Sequence, residues 1–286
     1  MQREGQRRTG VPTPVPVAST RRAHAAAPAT DRKPPMRTPR IIAAAVALAL
    51  LGAPPAHAAF HLMKVVEVFP GAPAAPNAQY VVLQMYSGGQ TLVSGHVVTV
   101  YNAAGTPVGT YTFGANVANG AAQDKILIAT TEAQTFFGIT ANLIMTPTVA
   151  AAGGKVCFDS SPIDCVAWGN YSSAPTGVGT PFNDPVLGGL ATGRAAARRL
   201  DITGFPGVLD AGDDTGDSAN DFRTALPRPT NNARQIGTIP PSTCGNLAIE
   251  GVEQCDDGDL DNGDGCSSTC AIEPPLPPLI YANGFE

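Results

Sequence analysis

Glycine and proline punctuate this chain so densely that long helices are excluded. With 31 Gly and 27 Pro among 286 residues, about a fifth of the positions carry turn or breaker chemistry. Helix bundles and coiled coils need Ala, Leu, Glu and Lys with few such interruptions. What the pattern permits is short strands joined by many turns. The strands themselves are legible. Residues 62–69, 80–86, 96–101 and 108–113 are rich in β-branched and aromatic residues, and 125–130 is a continuous apolar run. Thr131 is expected to open one short helix, with Gln134 completing a capping box and Gly138 as its stop. Lys155–Asp159 and Ile163–Trp168 flank Ser160-Ser161-Pro162 and read as a hairpin. Residues 194–200 can form a strand whose outer face carries Arg198. The acidic run Asp210–Asp221 reads as a polar bend placing a closing strand, with metal binding as the rival reading. Eight or so short strands and one minor helix predict an antiparallel sandwich or barrel, and 59–236 is long enough to bury one core.

Charge divides the chain. Residues 1–58 hold nine Lys or Arg against two acidic residues; the remainder holds nine basic and 21 acidic, and +7 with −12 makes the net −5. An acidic mature part argues against nucleic acid as a partner, because phosphate binding needs positive surface. From Met36 the chain reads as a signal peptide: Arg37 and Arg40, an uncharged run from Ile41 to Leu51, then Ala56-His57-Ala58. The run is short of the ~20 residues that span a bilayer, and a buried core helix is the alternative. Cleavage after Ala58 is expected, leaving no membrane span and a secreted or cell-surface protein. Residues 1–35 read as a non-translated or disordered leader, with Met36 the initiator.

All six cysteines, Cys157, Cys165, Cys244, Cys255, Cys266 and Cys270, lie in the second half. An even count behind an export signal reads as disulfides. Zinc is the weaker reading, because the mature chain offers only His61 and His96 and no Cys-x-x-Cys pair. Cys157 and Cys165 sit symmetrically about the hairpin turn and are expected to be bonded, with two buried free thiols as the alternative. Four cysteines in 244–270 allow three pairings, and sequence does not choose among them. Residues 237–243 read as a linker, 244–270 as a disulfide-rich module and 271–286 as a Pro-rich tail.

Two resemblances follow from these residues. Val65-Val66-Glu67-Val68 with Tyr80-Val81-Val82-Leu83, Gly153 through Gly169, and Asp214 to Phe222 with Pro227-Arg228-Pro229-Thr230-Asn231 together resemble the lamin-tail domain. That resemblance implies an immunoglobulin-like β-sandwich and a binding or scaffolding role. Cys244-Gly245-Asn246, Gly251 to Gly258 and Asn262 to Cys270 resemble the short Cys-rich repeat of bacterial surface proteins.

The candidate chemistries are few. Asp257, Asp259, Asp261 and Asp264 crowd a glycine-bent loop, so calcium is the natural cofactor to expect, and no other is called for. The EF-hand spacing fails, with Asn262 at position 6 and Ser268 at position 12 if Asp257 is position 1. The competing reading is Asp-Gly turn chemistry. No Gly-x-Ser-x-Gly elbow is present, and a triad would have to use His61 or His96. The chain is therefore expected to be a non-catalytic binding or structural module with an extracellular or cell-envelope partner. A carboxylate- or calcium-dependent hydrolase is the alternative, and two carboxylates converging in a concave site would favour it.

Overall fold

The computed structural model describes residues 60–174 and 176–275. The expected leader 1–35, the signal peptide 36–58 with its cleavage site, and the end of the tail beyond 275 lie outside the described residues. The protein is mainly β. Among the described residues ten strands run in chain order as β1 (Met63–Phe69), β2 (Tyr80–Met85), β3 (Val97–Asn102), β4 (Pro107–Thr112), β5 (Lys125–Ala129), β6 (Leu143–Ile144), β7 (Gly153–Phe158), β8 (Asp164–Gly169), β9 (Ala195–Arg198) and β10 (Phe222–Ala225). Helix α1 (Thr131–Phe137) follows β5, and the one-turn α2 (Ser218–Asp221) precedes β10. They form a six-stranded sheet, β10-β9-β1-β2-β5-β6, and a four-stranded sheet, β4-β3-β7-β8. Every pairing is antiparallel except β5 with β6.

The two sheets meet through Val65, Val68, Val81, Leu83, Ile126 and Ile128 on one side and Val98, Val100, Val156, Phe158, Val166 and Trp168 on the other. A second cluster covers the opposite face of the six-stranded sheet, where Phe69, Tyr80, Val82 and Leu127 pack against Phe137 of α1. Both faces of β1, β2 and β5 are therefore buried. That is why apolar residues stand at consecutive positions in them, as in Val65-Val66, Val81-Val82-Leu83 and Ile126-Leu127-Ile128, instead of alternating. Trp168 donates its indole N–H to the Ala150 carbonyl at 2.8 Å, so the largest core side chain leaves no unpaired donor. Gly154 faces it across β7–β8. A Cβ at 154 would lie 2.9 Å from the Trp168 ring and 2.7 Å from the Tyr101 carbonyl oxygen, so only glycine fits.

Two local expectations are corrected. The cap of α1 is Thr130, one residue earlier than expected; its hydroxyl accepts from the Ala133 N–H at 3.0 Å. Gln134 makes no capping box; its side-chain oxygen accepts from the Ala141 N–H at 2.9 Å. Gly138 does end the helix, in the left-handed region at φ 61°. The second correction is Arg198. Ala196 belongs to the inter-sheet core while Ala195 faces the other cluster, so alternation turns Arg198 inward, where it is 3% exposed. An Ala-Ala-Ala-Arg strand has no polarity alternation by which its buried face could be read.

Cys157 and Cys165 are direct cross-strand partners in β7–β8 and are bonded, with Cα atoms 4.1 Å apart. Beyond the sandwich, Cys244 is bonded to Cys270 and Cys255 to Cys266, one bridge nested inside the other. The Cys-rich segment lies against the sandwich. The Arg194 guanidinium donates to the Val252 carbonyl at 2.9 Å, the Gln254 amide donates to the Thr192 carbonyl at 3.1 Å, and Val252 is buried in the second cluster. Among the described residues no helix is long and apolar enough to cross a membrane.

Candidate functional site

Three places gather charged groups: an ionic knot between the sheets, a groove on the outside of the six-stranded sheet, and the acidic loop of the Cys-rich segment.

The knot centres on Arg198. Its Nη2 donates to Asp164 Oδ2 at 2.8 Å, its Nε to the Val65 carbonyl at 2.8 Å and its Nη1 to the Asp213 carbonyl at 3.0 Å. Nη1 also lies 3.6 Å from Asp214 and 3.5 Å from Asp221, and the guanidinium sits 4.7 Å over the Phe222 ring. Lys64 pairs with Asp214 and approaches Asp164 Oδ1 at 3.9 Å. Three carboxylates thus share two cations. Burial pushes the Asp164 carboxyl up to about 7; Arg198 and Lys64 oppose this, and the Asp214 charge adds to it. Burial also raises Asp214, but the Lys64 hydrogen bond and the Arg198 charge win and hold it below the usual carboxylate range. Burial keeps Asp221 above its ordinary value in spite of the bonds it accepts from Thr215. The run 210–221 therefore positions a closing strand through its carboxylates. Asp213, with no exposed surface, accepts from the Ile202 and Thr203 N–H groups at 3.2 Å each and from Asp210.

Asp164 and Asp214 also line a cleft of about 380 Å³ beside Lys155, Cys165 and Thr176. Two carboxylates do converge on a concave site. They are poorly presented for chemistry. The Asp164 side chain is 1% exposed and its Oδ2 is already held by Arg198 and by the Val65 N–H at 2.6 Å. His96, expected to start a strand, lies one residue before β3; it stacks on Phe60 with ring centroids 3.5 Å apart and contacts Asp159 at 3.2 Å, and His61 is exposed.

The groove begins with a β-bulge. Register shifts between Val65 and Glu67, so Val66 and Glu67 both face away from the inter-sheet core. Glu67 there accepts from the Tyr80 hydroxyl and from the Arg228 backbone N–H at 2.6 Å. Burial raises the Glu67 carboxyl, with those two bonds working against the shift. Over this floor lies a groove of about 520 Å³, walled by Leu200, Pro206 and Leu226 and edged by Lys125, Arg223 and Arg228. A second cavity of about 500 Å³ shares Gln84, Lys125, Leu200, Gly207 and Arg228 with it and adds Arg234. Arg234 is bound to Asp124 at 2.7 Å and 3.0 Å. Burial pulls the Lys125 ammonium below its ordinary value; the Glu67 charge opposes this and Arg228 adds to it.

None of these groove residues was expected from the linear sequence to bind a ligand, although Glu67 and Arg228 lie in the stretches that resemble the lamin-tail domain. The available signal was scarcity: only nine basic residues remain after residue 58. Six of those nine have partners. Lys64, Arg198, Arg199 and Arg234 are ion-paired, Lys155 sits over the Tyr101 and Tyr171 rings, and Arg194 binds the Val252 carbonyl. Among the described residues, the side chains of Lys125, Arg223 and Arg228 have none, and all three line the same groove.

In the acidic loop, one carboxylate oxygen each of Asp257, Asp259 and Asp264 lie within 4.8 Å of one another, all exposed; Asp261 stands outside that group. Their oxygens are used locally. Asp259 accepts from the Asp261 N–H at 2.9 Å and Asp264 from the Cys266 N–H at 3.4 Å, as in Asx turns. Asp256 accepts from the N–H groups of Gly245, Asn246, Leu247 and Gly258, and these bonds outweigh burial and hold its carboxyl low.

The fold and its stapled appendix define a disulfide-bonded β-sandwich protein. No family model, no curated protein and no solved structure matches the chain.

Proposed function

We propose that this chain is an exported, non-catalytic binding module of the cell surface or extracellular space, and that it holds its ligand in the groove over β1, β2, β5, β9 and β10. The carrying observation is the set Lys125, Arg223 and Arg228: three cations whose side chains have no partner among the described residues, lining one groove in a part of the chain, after residue 58, that is acidic on balance. Three disulfides are compatible with an oxidising compartment. The signal-peptide pattern at 36–58 and the lamin-tail and Cys-rich resemblances support the same reading. Secreted material should begin at Ala59 on N-terminal sequencing. Labelled mature chain should bind intact cells of the producing strain, and the double substitution Lys125→Glu with Arg228→Glu should weaken that binding at least tenfold. Unchanged cell binding by the double variant would remove the groove from the reading.

A second reading, a carboxylate-dependent hydrolase, draws on the Asp164–Asp214 cleft. A carboxyl titrating near 7 beside one held ionised is the split that acid–base catalysis uses. That reading expects Asp164→Asn to abolish turnover of a polymer while leaving the fold intact. The burial of Asp164 favours a structural knot, for which the same substitution changes stability and no turnover is found.

A further inference from the structure

We infer that the ligand of this groove is an acidic polysaccharide, a chain of sugars bearing carboxylates. The inference rests on the binding reading above and names its chemistry. Three features point the same way. First, Lys125, Arg223 and Arg228 supply positive charge along the groove, and the bond from the Arg228 backbone N–H to buried Glu67 fixes the point on the rim from which that side chain departs.

Second, the two cavities that share Gln84, Lys125 and Arg228 form one open trough, so an extended ligand fits better than a compact one. Its sides include Leu200, Pro206 and Leu226, the last 59% exposed. Such surface suits the apolar faces of sugar rings.

Third, Gln84, which lines both cavities, carries an unmet acceptor. Gln84 lies 4% exposed in β2, and its amide donates to the Gln123 side-chain oxygen at 2.6 Å. Gln123 is itself fixed, donating to the Leu209 carbonyl at 3.0 Å and accepting from the Leu209 N–H at 2.9 Å. A flip of Gln84 would set oxygen against oxygen, so its orientation is determined by these neighbours. Gln84 Oε1 is left with no donor among the described residues. A buried acceptor of this kind gains from a hydroxyl donor. Sugars carry freely rotating hydroxyl donors beside their carboxylates, whereas the only donors of a polyglutamate chain are its backbone N–H groups.

The test is titration of the mature chain with oligogalacturonate, polyglutamate of matched charge, and neutral dextran, at low and high salt. Oligogalacturonate should bind, more weakly as salt rises because Arg223 and Arg228 are solvent-facing. Lys125→Ala with Arg223→Ala should reduce its affinity at least tenfold, with an unchanged thermal midpoint as the folding control. Gln84→Met should narrow the preference for oligogalacturonate over polyglutamate several-fold. Equal binding of the two polyanions by the wild type would overturn the sugar assignment and leave an anion-binding module. Cell binding that depends on the groove, with no oligogalacturonate binding, would overturn the inference alone. Loss of both would overturn it together with the reading it rests on. Should the double variant unfold, Arg223→Gln, at an exposed position, carries the same test.

Discussion

The sandwich and the Cys-rich segment are held together by different physics, although the two lie against each other in one chain. The sandwich buries Trp168, Tyr80, Phe69, Phe137 and Phe158 almost completely, in clusters on both faces of its larger sheet. Each such side chain contributes about 1.5–3 kcal/mol by leaving water. The Cys-rich segment has Leu247, Ile249, Val252 and Leu260 as its large aliphatic side chains. Leu247 is 76% exposed, Ile249 45% and Leu260 58%; only Val252 is buried, and it is buried in the sandwich's own cluster. The segment therefore builds no core. Two nested disulfides, the Asp256 carboxylate gathering backbone N–H groups, and the contacts at Thr192 to Arg194 take that place. Crosslinks act mainly by restricting the unfolded chain, so a segment without a core can still be ordered.

The largest expected effect is on this contrast itself. Full reduction should remove hydrogen-exchange protection from 244–270 while the central strands of the sandwich keep theirs. If the order were reversed, the assignment of core to one region and crosslinks to the other would be wrong.

Next in size is Arg198→Met. It leaves Asp164, Asp214 and Asp221 facing one another with only Lys64 to compensate. Breaking a buried ionic group by removing one partner costs about 3–5 kcal/mol. At roughly 2–4 °C per kcal/mol for a domain of this size, the melting temperature of the sandwich should fall by about 10 °C. A fall of under about 2 °C would mean the knot contributes little.

The pH dependence sharpens the same point. The Asp164 carboxyl is raised from 3.8 to about 7 on folding, so between those values the folded state binds more protons than the unfolded. The stability it contributes is complete below about pH 4 and is lost as pH rises through about 7. Asp164→Asn cannot ionise. Compared with the wild type, its stability should therefore gain steadily between pH 4 and 7 and level off above. Parallel curves for the two proteins would place the titration elsewhere.

Smaller is the loss from Cys157→Ser with Cys165→Ser. The bridge closes a short loop within an already paired hairpin, so chain entropy predicts about 2 kcal/mol, measurable by chemical denaturation. Retention of the β7–β8 exchange pattern in that variant would separate hairpin packing from the crosslink. The smallest effect belongs to Asp259→Asn. Its carboxylate is exposed, so stability should move by no more than about 0.5 kcal/mol. A change of several kcal/mol in the presence of calcium would give the acidic loop a structural ion.

Much of this architecture was written locally. Breaker density, β-branched runs and the Cys157–Cys165 symmetry depend only on neighbours in sequence, and they determined a mainly β sandwich with a disulfide hairpin. Gly138 likewise ends its helix for reasons of local backbone freedom. Tertiary structure decided what depends on which strand lies beside which. The inward turn of Arg198 follows from pairing with β1 and β10, because three alanines cannot mark a face. The bulge at Val66 that brings Glu67 under Arg228 is a register choice between strands. The nested pairing Cys244–Cys270 and Cys255–Cys266 was one of three that the spacing allowed. Lys125, Arg223 and Arg228 are up to 103 residues apart in sequence and are brought together only by the order of strands in the larger sheet. A groove made by sheet order leaves no periodic trace in the chain, because the charges that define it have no fixed spacing to keep.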